Sequence, residues 1–256
     1  MSMEKHDPVC RSCIDCGVIN CSTQKHQYPE FCLTTSLEEG ELEEALALYD
    51  EDRNREIMLT AAQVEFEGYC KLTRVEEIMD FARRMGFRKL GIATCVGLIR
   101  ESRALARILR AHGFAVFGIA CKAGAVDKTA VGIDPACHAV GKNMCNPILQ
   151  AKRLNREGTE LNIVVGLCVG HDSLFYRYSD ALVTTLVAKD RVTGHNPAAV
   201  LYQLDSYYKR LLTPSDPAET ARAAIRFGSP PALLFYKPRS RGYNNNSQQI
   251  VFEVFS

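Results

Sequence analysis

The chain has 256 residues, a formal net charge of +1, 46% hydrophobic residues and 24% charged ones, the composition of an ordinary globular protein rather than a disordered or fibrous one. Its longest apolar run, about ten residues around 161–170, falls short of the roughly 18 a membrane-crossing helix needs, so no membrane span is expected. The near-neutral charge gives no general attraction to nucleic acid or anionic lipid.

The outlier is the 11 cysteines. A chain this long does not need disulfides in place of a core. The start, Met1–Pro8, is polar and has no apolar secretory segment. The expectation is a cytoplasmic protein whose closely spaced cysteines bind metal or do chemistry.

Four regions follow one another. Residues 1–36 hold Cys10-x2-Cys13-x2-Cys16-x4-Cys21-x10-Cys32, with His26 inside the run. A C-x2-C pair wraps one metal because a tight turn points both sulfurs the same way, and a second pair closes the tetrahedron. The best tetrad is Cys13, Cys16, Cys21 and Cys32, read as a structural zinc knuckle. Iron–sulfur is the competitor, since Cys10, Cys13 and Cys16 match the opening of a ferredoxin run, but the next step is x4 and lacks the following Pro. Cys10 is left over as an alternative ligand or a free thiol.

Residues 37–87 read as a helical segment. Leu42, Leu46 and Tyr49 have helical spacing, and Ser36 with Glu39 has the pattern of a capping box. A second helix is predicted over 54–69. A third follows Thr73, with Glu76 as its capping partner and Gly86 past its end.

Residues 88–212 alternate strand and helix. Strands are predicted at 88–95, 114–121, 161–168 and 181–188, and helices at 98–112, 146–156 and 173–179. Continuous apolar strands alternating with helices predict an α/β fold with an open, mostly parallel, Rossmann-like sheet and flanking helices. Residues 213–256 lose this pattern and read as a loosely ordered extension, with a helical turn at 222–227 and an edge strand at 249–255.

Three predicted strands finish in cysteine with glycine close behind: Cys95 before Gly97, Cys121 before Gly124, and Cys168 between Gly166 and Gly170. In open α/β sheets the carboxyl ends of the strands form the ligand crevice. Cys95, Cys121 and Cys168 therefore face one crevice, and the long loop after the second strand adds Cys137 and Cys145. These five are the candidate cofactor-binding thiolates for an iron–sulfur cluster or a second metal. A buried, inert role for each cysteine alone is the competing reading.

Cys168 with His171 is the candidate catalytic pair, and His171 competes with a reading in which Asp172 simply caps the following helix. Gly166-x-Cys168-x-Gly170 also has the form of a nucleophile elbow with Cys in place of Ser. Lys122, Lys128 and Lys142 lie in loops on the same side. His195-Asn196-Pro197 either lines the crevice or forms a turn. Neither standard phosphate-binding glycine motif is present.

Taken together, Cys13-x2-Cys16-x4-Cys21-x10-Cys32, Gly166-Leu-Cys168-Val-Gly170-His171-Asp172-Ser173 and Lys189-Asp-Arg191 with Gly-His195-Asn-Pro197 resemble an uncharacterised family of prokaryotic, mostly anaerobe, cysteine-rich proteins. The resemblance covers roughly residues 10–212. It implies a cytoplasmic metal-binding protein and no particular reaction.

The leading expectation is a metalloprotein with a structural knuckle and a cysteine-rich crevice for redox chemistry on a small ligand or redox partner. The rivals are a non-enzymatic zinc sensor or interaction protein, and a hydrolase with Cys168 as nucleophile. Neither nucleic acid nor membrane is an expected partner.

Overall fold

The computed structural model describes residues 11–23 and 25–213. Cys10 and the extension from 214 onward, with the turn and edge strand predicted there, lie outside the described residues.

Three helices precede the sheet: α1 (Glu41–Leu48), α2 (Asp52–Gly68) and α3 (Arg74–Arg84). At α3 the predicted capping box is present. Thr73 N–H donates to Glu76 Oε2 at 2.8 Å and Glu76 N–H reaches Thr73 Oγ1 at 3.5 Å. At α1 it is not. Ser36 Oγ donates instead to the Cys32 carbonyl at 3.0 Å, and the helix starts later, after Gly40 in a left-handed conformation.

The α/β unit runs β1 (Lys89–Thr94), α4 (Ile99–Ala111), β2 (Ala115–Ala120), α5 (Pro147–Arg156), β3 (Leu161–Val165), α6 (His171–Tyr178), β4 (Leu182–Val187) and a short α7 (Ala198–Tyr202). The sheet is all parallel in the order β2-β1-β3-β4. The predicted Rossmann-like α/β architecture is therefore the observed one. α7 was missed because five residues are too few to carry a helical period.

Strand alternation divides the core between the two faces of the sheet. On one face Leu90, Ile92, Leu161, Ile163 and Val165 pack with Met79 and Ala82 of α3 and Leu105 and Leu109 of α4. On the other, Ala93 and Val164 pack with Ala151 and Leu154 of α5 and Phe175 of α6. Each fully buried side chain of this size contributes roughly 1.5–3 kcal/mol.

Nothing among residues 11–59 that the structure describes is buried. The core begins at Thr60 and Val64 and is built around the sheet. Among the described residues, no helix is long and apolar enough to cross a membrane.

Candidate functional site

The chain runs from β1 outward to β2, then returns across β1 to β3 on its other side. That reversal opens a crevice beyond the carboxyl ends of β1 and β3, the usual ligand position in such sheets. The ends are in register. Thr94 stands opposite Ala120 and Val165, and the ladder extends one residue further through Cys121 N–H to Thr94 C=O at 2.8 Å and Cys95 N–H to Val165 C=O at 3.0 Å. Cys95 and Cys121 thus leave neighbouring strands side by side.

Two buried polar side chains hold this pair in place. Thr94 Oγ1 donates to the Cys95 carbonyl at 3.0 Å and accepts from Ser102 Oγ of α4 at 2.6 Å. Gln150 of α5 is fully buried, and its Nε2 donates to the carbonyls of Thr94 at 3.1 Å and Ile119 at 2.8 Å. It ties β1 to β2 just before their cysteines. Nothing in the sequence marks Gln150, because glutamine on a helix is ordinarily a solvent-facing residue.

The loop after β2 brings in a third sulfur. Val126–Lys128 runs antiparallel to Lys142–Met144, with Lys128 N–H to Lys142 C=O at 3.1 Å and Met144 N–H to Val126 C=O at 2.9 Å. Asn146 N–H then donates to the Cys121 carbonyl at 2.7 Å. The loop closes where it began, with Cys145 beside Cys121. Asn146 goes on to cap α5 through Leu149 N–H at 3.0 Å, with Pro147 at the first helical position.

The result is a chain of contacts. The buried Cys121 thiol meets Cys95 on one side and Cys145 on the other, and Val96 N–H donates to its sulfur at 3.4 Å. Cys145, half-buried, also meets His171. Cys95 also receives Gly97 N–H and faces Lys189.

Contact with Cys121, then the Gly97 N–H and Lys189, lowers the Cys95 thiol to about 5. Contact with Cys121, then His171 and the Lys122 charge, lowers Cys145 to about 3. Cys121, between two sulfurs and buried, is pushed far up, so the proton stays on the central sulfur. His171 is raised by Cys145.

Cys168 is placed differently from the prediction. β3 stops at Val165, because Gly166 turns the chain with φ +67° and a Cβ there would sit 2.1 Å from Leu98 Cδ1. Cys168 therefore lies in the loop rather than at a strand end. Its sulfur accepts from Arg191 Nη2 at 3.3 Å, while His171 is engaged with Cys145. Asp172 is not the helix cap either. Gly170 occupies that position, and Asp172 accepts from Ser173 N–H at 2.8 Å.

Cations surround the sulfurs. Lys122 acts on Cys145, Lys189 on Cys95, and Arg191 on Cys168, Cys95 and Cys145. Asp172 acts on His171 in the same direction as Cys145. Lys189 and Arg191 had a sequence signal, two basic residues just past the fourth strand, which became meaningful only when β4 was placed next to β3.

The remaining predicted residues lie apart from this chain of contacts. Cys137 sits half-buried in a turn over Pro135–Val140. Its carbonyl accepts from the buried Lys128 ammonium, and no hydrogen bond joins its thiol to the crevice sulfurs among the described residues. Lys142 stays in the loop. His195 closes a turn with Asp190, its N–H donating to the Asp190 carbonyl at 2.8 Å. Asp190, not Asn196, supplies the side-chain cap, to Val192 and Thr193 N–H at 2.8 and 3.0 Å.

In the N-terminal segment Cys13 and Cys16 form the predicted tight turn, closed by Cys16 N–H to Cys13 C=O at 3.2 Å. Cys13 and Cys21 are exposed, and Cys16 and Cys32 half-buried. Among the described residues, no three His, Cys, Asp or Glu side chains are arranged around a common point to hold a metal ion. The donor types of both cysteine groups suit a soft metal; their present arrangement does not converge on one.

A family model described as a protein of unknown function (DUF1847) matches residues 32–186. That span includes all the crevice cysteines and His171 but neither Arg191 nor Cys13, Cys16 and Cys21. The uncharacterized protein MJ0455 of Methanocaldococcus jannaschii is 44% identical over 164 residues, 64% of this chain and 84% of that protein. No solved structure matches the chain.

Proposed function

The chain belongs to the family of proteins of unknown function DUF1847, and from that premise we propose that its strand-end crevice is a thiolate site for redox chemistry on a small ligand. The observation that carries this reading is the packing of Cys95, Cys121 and Cys145 in one cluster, with His171 acting on Cys145, at the point where the sheet reverses its order. Buried structural cysteines gain nothing from such company. Cys95 and Cys145, lowered by their neighbours, favour the thiolate, the form that reacts and the form that binds metal. Cys168 joins from the β3 side with Arg191. A chain keeping ten free cysteines among its described residues fits a reducing, cytoplasmic setting.

A second reading is favoured by the donor set. Cys95, Cys121, Cys145 and Cys168 with His171 are ligands that zinc and iron–sulfur clusters take. Loading either would require the sulfurs to turn from a chain toward a common point. In the N-terminal segment Cys13, Cys16, Cys21 and Cys32 are assigned to zinc on their spacing and the Cys13–Cys16 turn.

Metal analysis and a visible spectrum on protein purified without oxygen separate the two readings. Colour with iron that disappears in Cys121→Ser assigns the crevice to a cluster. A colourless protein whose crevice thiols react while folded, and lose that reactivity in Cys121→Ser and Cys145→Ser, supports metal-free thiol chemistry. Thiols inert until unfolding would overturn the proposal.

A further inference from the structure

We propose that the crevice takes an anionic low-molecular-weight disulfide, with Cys145 as the attacking sulfur and Cys121 as the resolving sulfur. This rests on the thiolate reading above and adds the substrate class and the order of events.

Access and pairing assign the roles. Cys95 and Cys121 are buried, at 8% and 3% exposure, whereas Cys145 and Cys168 are half-buried. Within the crevice an incoming disulfide therefore reaches Cys145 or Cys168 first. Cys145 packs against the buried cluster that holds Cys121, and the Asn146–Cys121 backbone bond of 2.7 Å keeps the two chain segments together. Among the described residues the Cys168 sulfur is bonded to the Arg191 guanidinium and to no thiol, so a mixed disulfide formed there lacks a resolving partner among them.

Charge assigns the ligand. Arg191 Nη2 donates to the Cys168 sulfur at 3.3 Å, and Lys189 Nζ and the Cys95 sulfur meet over Gly97, each 3.8 Å from where a Cβ there would stand; Lys122 and His171 act on Cys145 from the other side. A cleft of one sign concentrates ligands of the other.

The step balances without a further reagent. The Cys145 thiolate attacks one sulfur of the disulfide, RSSR, forming Cys145–S–S–R and expelling RS⁻. With Cys145 taken up in the mixed disulfide, Cys121 no longer lies between two anionic sulfurs and passes its proton to the Cys95 sulfur packed beside it. The resulting Cys121 thiolate attacks the Cys145 sulfur and expels the second RS⁻. The substrate gains two electrons and the Cys121–Cys145 pair loses them, with the proton kept on Cys95.

The test uses the full chain purified without oxygen and three disulfides of different charge: the dianionic dinitrobenzoate reagent, a neutral dipyridyl disulfide and cationic cystamine. Each rate is normalised to that reagent's rate with free cysteine. The anionic reagent is expected to lead cystamine by about tenfold or more, a lead that added salt and Arg191→Gln shrink. Peptide mapping should find a Cys121–Cys145 disulfide, with both halves of the reagent released. In Cys121→Ser one half should remain on Cys145.

Equal normalised rates for all three reagents, or a first adduct on another cysteine, would overturn the inference while leaving a reactive thiolate crevice intact. No reaction with any reagent until unfolding would overturn the thiolate reading and this inference with it.

Discussion

Cys95 and Cys145 differ from ordinary thiols because of what touches them. Their values of about 5 and about 3 compare with about 8.5 for a free cysteine. Thiolate ultraviolet absorbance is therefore expected to persist at neutral pH in the folded protein, to fall only toward about pH 5, and to shrink in Cys95→Ser and Cys145→Ser. The linkage has a definite sign. Between these folded values and the unfolded one the unfolded chain binds more protons, so both groups favour folding increasingly as pH rises, and that contribution is lost as pH falls through the folded values. Cys121, shifted upward, acts oppositely above the unfolded value. Denaturant titrations across this range should show a shallower pH slope in Cys145→Ser than in wild type. Gln150 belongs to the same scale. Gln150→Leu removes two bonds to buried carbonyls, although the Oε1 atom it deletes has no partner among the described residues. A loss of about 1–3 kcal/mol in denaturant unfolding is expected, together with slower reaction of the crevice thiols.

Among the elements, the turn after β3 carries the sharpest requirement. Gly166 combines a left-handed backbone with close approach to Leu98. Gly166→Ala is expected to cost about 1–3 kcal/mol in thermal or denaturant unfolding, since both the conformation and the contact oppose a Cβ. A smaller loss would mean that the turn relaxes. The strands themselves were readable as apolar runs, and Thr73 with Glu76 announced α3. The early end of β3 was not readable, because Leu167 and Cys168 continue the apolar run and only packing against Leu98 shows why the chain must turn. Ser36 misled for a related reason. A hydroxyl that caps a helix also suits a preceding turn, and here it serves the Cys32 carbonyl.

At the scale of the whole molecule, a packed sheet domain carries an N-terminal segment with no buried residue among those described before Thr60. Such a segment takes its order from something other than a core, and the zinc proposed for Cys13, Cys16, Cys21 and Cys32 would supply it. Chelation is expected to open residues 11–40 to protease while the sheet region stays protected. Equal resistance with and without chelator would remove zinc from that role. The strand order was legible only as a class. Alternating elements predicted a parallel sheet, but which strands are neighbours decides that Cys95 lies between the β2 and β3 ends, and sequence spacing is silent on that. The basic pair Lys189 and Arg191 gained a role for the same reason.

The bond from Asn146 to Cys121 makes the intervening loop a detour that returns to its starting point. Cys121 and Cys145 stand at the two ends of that detour, whose arms Val126–Lys128 and Lys142–Met144 are also laddered together. The stretch between Lys128 and Lys142 can therefore change in length or sequence while Cys121 and Cys145 stay together, which makes it the place to graft new ligand preferences onto an unchanged sulfur pair.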